Sequence, residues 1–227
     1  SKNKEELSRY AYIAVSDWDT FKIAMDKYET MKICMKNSIP CPKTLLDVSS
    51  IEDILNSEIS FPIVVKPRIG YGAIGFHIVE SEQQLVNLLN KMDIDLSSMI
   101  IQEFIPQSDM QYVVAIYVDD NNKVKTALVF SKNRWFPING GASTLSITVD
   151  DDDIINNCKR LVELINWRGC ADIDLIRDPR DGIAKIMEIN PRTSGNVKIC
   201  FEAGVDLARQ ILESACKEEV TEYKDYK

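Results

Sequence analysis

Four polar residues on two neighbouring runs carry the densest chemistry in the chain: Asp172 and Asp174 in residues 171–176, Glu188 and Asn190 in residues 184–190. Between the runs lies Asp178-Pro179-Arg180-Asp181-Gly182, and Pro followed by Gly between alternating apolar runs predicts a hairpin turn. Folding that turn so that Asp174 lies opposite Glu188 puts Asp172 opposite Asn190, and alternation along a strand then brings all four to one face. Three carboxylates and an amide on one face repel one another unless a cation sits among them. Hard oxygen donors of this kind suit Mg²⁺, which is usually held by one or two carboxylates together with substrate phosphates. Arg192, just past the second run, could point a bidentate fork at those phosphates. A solvated strand face beside a tight turn is the plainer alternative.

A second set of residues comes earlier. FPIVV (61–65) reads as a short buried strand closed by Lys66, and an ammonium at such a place needs an anionic partner. Pro67 and Arg68 then lead into GYGAIG (70–75), which fits G-x-G-x-x-G. A dinucleotide fingerprint requires a helix to open within the glycines, whereas FHIV (76–79) reads as another strand. That leaves a dinucleotide-dependent oxidoreductase a distant reading. Strand, glycine loop, strand is the arrangement of a flap laid over ATP phosphates. Gly70, Gly72, Ala73 and Gly75 would let backbone N–H groups approach closely; a plain hairpin with a loose loop is the alternative. In MIIQEFI (99–105), Gln102 and Glu103 interrupt an apolar strand before Phe104, Ile105 and Pro106. A strand end of this kind can meet an adenine edge through backbone N–H and C=O.

The elements that must position these residues are legible in outline. Ser16, Asp17 and Asp19 offer caps for one helix running to about residue 37, with Phe21, Met25, Met31 and Met35 on its apolar positions and Lys27 and Lys32 along it. Residues 44–48 read as a short extended run, and 49–56 as a small helix in which Ser50 and Asp53 form a near capping box. An amphipathic helix follows at 81–91, then strands at 110–118 and 123–130 around a turn at 119–122. Lys132, Arg134 and Trp135 precede a loop containing residues 140–144. A helix with an acidic start spans about 150–167. After the hairpin come helical segments at 197–203 and 205–216, broken at Gly204, and a polar end, 217–227, expected to fray.

The bulk composition narrows the function. The 227 residues are 45% hydrophobic and 27% charged, with net charge −8, which suits an ordinary globular chain and lacks the cationic surplus of a nucleic-acid binder. No apolar run is long enough to span a bilayer. The six cysteines are scattered without a CxxC pair, reading as reduced thiols of a cytoplasmic protein. The single histidine, His77, leaves no Ser-His-Asp triad and no His-based metal site.

Taken together, MDKYET (25–30), IPCPKT (39–44), FPIVVKPRIGYGAIG (61–75), IIQEFIP (100–106) and MEINPRTSGN (187–196) resemble the ATP-grasp superfamily in order and spacing, over roughly residues 20–216. The likeness is to its carboxylate–amine ligases related to the carbamoyl phosphate synthase large chain. The resemblance implies an α+β fold in which two subdomains, residues 20–105 and 106–216, grip ATP between antiparallel sheets. By the same resemblance, Lys27 and Lys66 are the lysines on the ATP phosphates and Glu103 and Ile105 the adenine hinge, with Glu103 reaching the exocyclic amine. Asp109 is the acid on the ribose hydroxyls. Asp174, Glu188 and Asn190 are the magnesium set, with Mn²⁺ a second candidate, and Arg192 is the following phosphate contact; Lys66, Asn190 and Arg192 carry the catalytic role. The chemistry implied is phosphorylation of a carboxylate by ATP, giving an acyl phosphate that an amine attacks. A small-molecule kinase on the same scaffold, or a nucleotide-binding regulatory module without turnover, are the alternatives. Two departures stand out. Asp172 occupies the place where peptide-ligase relatives carry an Arg, leaving Arg192, Arg134 or Lys132 to stabilise the acyl-phosphate region. The α/β domain that usually precedes the grasp domain is represented only by residues 1–19, so the resemblance implies an N-terminal domain beyond this chain. A homodimer is left open.

Overall fold

The computed structural model describes residues 1–70, 72, 74–92, 95–106, 111–136, 142–224 and 226. Ala73 and Asp109, both expected in the nucleotide site, lie outside the described residues, as do Gly140 and Gly141. In chain order the elements are α1 (Lys4–Leu7), α2 (Trp18–Met25), α3 (Lys27–Lys36), β1 (Thr44–Leu45), α4 (Ile51–Leu55), β2 (Ile63–Pro67), β3 (His77–Val79) and α5 (Glu82–Met92). They continue with a 3₁₀ turn (Leu96–Ser98), β4 (Met99–Glu103), β5 (Gln111–Val118), β6 (Val124–Phe136), β7 (Ala142–Thr148), α6 (Asp152–Leu164), β8 (Gly169–Arg177), β9 (Ala184–Asn190), α7 (Val197–Glu202) and α8 (Leu207–Ala215).

The strands form two antiparallel sheets, β1-β4-β2-β3 and β7-β6-β5-β8-β9. The first buries Ile63, Val65, Val79 and Ile101 against Ile54, Leu85 and Leu89 of α4 and α5. The second is covered on both faces. Val114, Ile116, Ile173 and Leu175 pack on α2, α3 and α6 through Met31, Cys34, Cys158 and Leu161. The opposite face, Val113, Ala115, Tyr117, Leu128 and Phe130, meets Cys200, Val205 and Leu207 around α7 and α8. Helices α2 and α3 therefore share the core of the second sheet, although a division at residue 20 assigns them to the first subdomain.

Three sequence expectations need correction. The single helix to residue 37 is two helices, because Asp26 takes extended backbone and caps α3 through the Tyr28 N–H. The same carboxylate holds Arg68, with Nη2 at 2.6 Å, and this pairing outside the helix competes with helical continuity. The described residues of the segment expected as a loop after Trp135 are strand: β6 runs to Phe136, with register shifts beyond Lys132, and β7, from Ala142, pairs with it. As an edge strand with Leu145 and Ile147 exposed, β7 lacks the half-buried alternation that makes strands readable. The described residues of the C-terminal stretch are anchored, where fraying is expected. Val220 is buried, the Tyr223 N–H donates to the Lys125 carbonyl at 2.8 Å, and the Tyr226 hydroxyl donates to the Val149 carbonyl.

Candidate nucleotide and metal site

The β8–β9 hairpin has the register its sequence implies: Asp172 pairs with Asn190 and Asp174 with Glu188. A shift between Asp174 and Leu175 then moves the pairing to Ile186. Asn190 Nδ2 donates to Asp174 Oδ2 at 2.8 Å and to Glu188 Oε1 at 3.4 Å, so the amide spans both carboxylates. Asp172 points elsewhere: its Oδ2 accepts from Asn196 Nδ2 at 3.2 Å. Burial raises the pKa of Asp172 despite the help of Ser194, Asn196 and the nearby Arg192. Arg192 itself is exposed, past the end of β9.

Two lysines reach this hairpin, Lys27 from the start of α3 and Lys66 from β2 of the first sheet. Lys27 Nζ stands 3.2 Å from Glu188 Oε2 and donates to the Gly70 carbonyl at 3.1 Å, tying α3, the glycine loop and β9 together. Its backbone N–H donates to the Arg68 carbonyl, so the Asp26–Arg68 brace sets where α3 begins relative to the end of β2. Lys66, on β2, is 8% exposed. Burial pushes its pKa down to about 8; Glu188 and Asp174 oppose that shift and Lys27 adds to it. The second sheet adds a lysine whose role sequence left open: Lys132 Nζ donates to Asp174 Oδ1 at 2.5 Å. Only the tertiary pairing β6-β5-β8 brings Lys132 to Asp174, and no local signal marks it. In the glycine loop, Gly72 and Gly75 both have positive φ, and a Cβ on Gly75 would meet Pro67 Cγ at 2.9 Å. That position takes glycine for close approach as well as for backbone freedom.

The hinge departs from expectation in one respect. The Glu103 carboxylate does not face an open site: Oε1 accepts from the Lys43 N–H at 2.9 Å and Lys185 Nζ at 3.3 Å, and Oε2 from Arg180 Nη2 at 2.7 Å. Burial works against its charge, but these partners outweigh it and hold the carboxyl below its usual range. Arg180 and Lys185 also grip Asp178, at 2.5 and 2.6 Å. The turn of the β8–β9 hairpin is thereby latched to the end of β4. This ion cluster escaped sequence reading because Asp178 and Arg180 also satisfy a plain turn. Gln102 is fully buried; its Nε2 donates to Thr44 Oγ1 at 2.8 Å, while its Oε1 is buried without a hydrogen-bond partner. Ile105 is buried and Phe104 half-buried.

These residues fit a nucleotide with its cation. Two carboxylates and an amide oxygen, offered once the Asn190 amide turns over, are hard donors. Among the described residues no three His, Cys, Asp or Glu side chains form a cage of their own, so phosphate oxygens would have to complete the shell. Residues 24–196 match the ATP-grasp domain family. The D-aspartate ligase of Enterococcus faecium is 28% identical over 233 aligned positions, covering 94% of this chain and 55% of that protein. The arginine-specific carbamoyl phosphate synthase large chain of Bacillus subtilis is 23% identical over 172 positions, 70% of this chain and 16% of that protein. Among solved structures, the biotin carboxylase domain of the Hydrogenobacter thermophilus 2-oxoglutarate carboxylase, crystallised with MgADP, ADP and bicarbonate, superposes with a TM-score of 0.80 at 15% identity. That likeness, over 98% of this chain and 52% of the other, concerns the fold alone. The chain spans about half the length of D-aspartate ligase. With a family match reaching from residue 24 to residue 196, the chain belongs to the ATP-grasp family.

Proposed function

We propose that the chain is the core of an ATP- and Mg²⁺-dependent ligase that activates a carboxylate as an acyl phosphate for attack by an amine. The observation that carries this reading is the convergence of Lys27 from α3 and Lys66 from β2 on Asp174, Glu188 and Asn190 of the β8–β9 hairpin. In this account Lys27 and Lys66 bind the phosphates, and the glycine loop closes over them and excludes water. The strand end 103–105 meets adenine through its backbone, since the Glu103 side chain is held by Arg180 and Lys185. Mg²⁺, held by Asp174, Glu188 and Asn190, would supply charge to offset that gathering on the transferred phosphoryl group. Arg192, just past β9, would orient the carboxylate and phosphate with its fork. No protein nucleophile is required. The similarity to D-aspartate ligase supports an amino acid as one reactant.

Two measurements test this. Incubation with ATP, Mg²⁺ and an amino-acid mixture should yield ADP together with an amide. ADP with a stable phosphorylated product would instead indicate a kinase, and no ADP a binding module. Calorimetric titration should favour ATP over GTP by about 1–3 kcal/mol, since a guanine carbonyl would leave the backbone acceptor that meets the adenine amine unpaired. Equal affinities would refute the hinge assignment.

A further inference from the structure

We propose that Lys132 is a built-in competitor for the divalent cation, so that cation and nucleotide enter the site together and the cation alone is kept out. This rests on the metal reading given above. Lys132 Nζ takes an oxygen of Asp174 at 2.5 Å, the same carboxylate that would ligate the cation. Lys27 stands against Glu188 at 3.2 Å, Lys66 is buried in the same cleft, and Asn190 Nδ2 bridges the two carboxylates. Asp174 and Glu188 are thus already paired with Lys132 and Lys27, and Lys66 adds a third ammonium nearby. A divalent ion arriving by itself would break a charge-assisted hydrogen bond at Asp174 and add two charges to a poorly solvated pocket whose carboxylates are already neutralised. An ion arriving with a triphosphate brings the anionic oxygens that the displaced ammonium then pairs with. Coupling of this sort is reciprocal, so the nucleotide tightens the cation by the factor with which the cation tightens the nucleotide.

Lys132 is the residue suited to this role because it lies on the same sheet as Asp174, with only β5 between their strands. Lys66 approaches from the first sheet and Lys27 from the start of α3, whereas Lys132 is fixed beside Asp174 by the sheet they share.

The test is Mn²⁺ binding to the full chain followed by electron paramagnetic resonance, with and without a non-hydrolysable ATP analogue. Lys132→Met removes the charge at similar length. Without nucleotide it should bind Mn²⁺ at least about tenfold more tightly than wild type, and the tightening conferred by the analogue should shrink. Lys132→Arg should keep the wild-type pattern, which a merely structural role would not require. If Lys132→Met fails to fold, Lys132→Gln gives the same readout. Unchanged or weaker Mn²⁺ affinity in the charge-removing variant, with nucleotide-dependent binding intact, overturns the competition alone. Absence of Mn²⁺ binding by wild type even with the analogue overturns the metal site and the competition together.

Discussion

Glu188→Gln should weaken Mg·ATP binding about 100-fold or more and lower phosphoryl transfer by about 10³, while leaving the fold intact. The substitution keeps the volume and hydrogen-bonding reach of the side chain but removes one of two adjacent carboxylates. In the absence of metal the stability terms oppose each other. Lys27 loses a partner at 3.2 Å but keeps the Gly70 carbonyl, while Asp174 loses a like charge that helps burial raise its pKa. The melting temperature should shift by no more than about 3 °C. Calorimetry and a coupled ADP assay read the two effects separately. Mg²⁺ dependence surviving the substitution unchanged would reduce the Asp174–Glu188–Asn190 face to a structural feature.

The second large effect concerns stability, away from the chemistry. Asp178 is fully buried and receives Arg180 Nη2, Lys185 Nζ and the Arg180 N–H. Asp178→Asn removes the charge that compensates a mostly buried ammonium, and it should cost about 3 kcal/mol. That is the low end for breaking a buried pair, because Arg180 is 48% exposed and both cations keep Glu103. For a chain of this size the melting temperature should fall by about 6–10 °C. The sign of the pH dependence follows from the depressed carboxyls. The Arg180 hydrogen bond holds the pKa of Asp178 far below the usual carboxylate range, and Glu103 is also lowered. Their contribution is complete above the ordinary carboxyl values near 4 and is lost as pH falls toward the folded values. The difference in melting temperature between wild type and Asp178→Asn should therefore be largest near neutrality and narrow below about pH 4. A difference constant from pH 7 to pH 3 would show that the ion cluster does not contribute through its charge.

Local chemistry explains which features could be read from sequence. The hairpin register was legible because Pro-Gly punctuation and period-two alternation agree on a single pairing, and that pairing alone groups Asp174 with Glu188. The Ser50–Asp53 capping box was legible for the same reason, being complete within four residues. Features that depend on distant partners were not. Asp26 breaks a helix because Arg68 lies beside it. Lys132 meets Asp174 across an intervening strand. Glu103, placed at the adenine edge by resemblance, turns its carboxylate to Arg180 of a turn 77 residues away. Edge strand β7 hid in a polar stretch because burial supplies most of the strand signal and this strand has little.

The central claim is that one nucleotide lies between the two sheets, held by Lys66 of the first, Lys27 of α3 and the carboxylates of the second. Titration of Mg·ATP into the wild type and into Lys66→Met tests it most directly. Methionine fills the same buried space without a charge to desolvate, so the variant should melt no lower than wild type. The account predicts saturable 1:1 binding by wild type, dependent on the divalent cation, and binding weaker by about 100-fold or more in Lys66→Met. Wild-type affinity retained by Lys66→Met, or no binding of Mg·ATP by wild type, would contradict it.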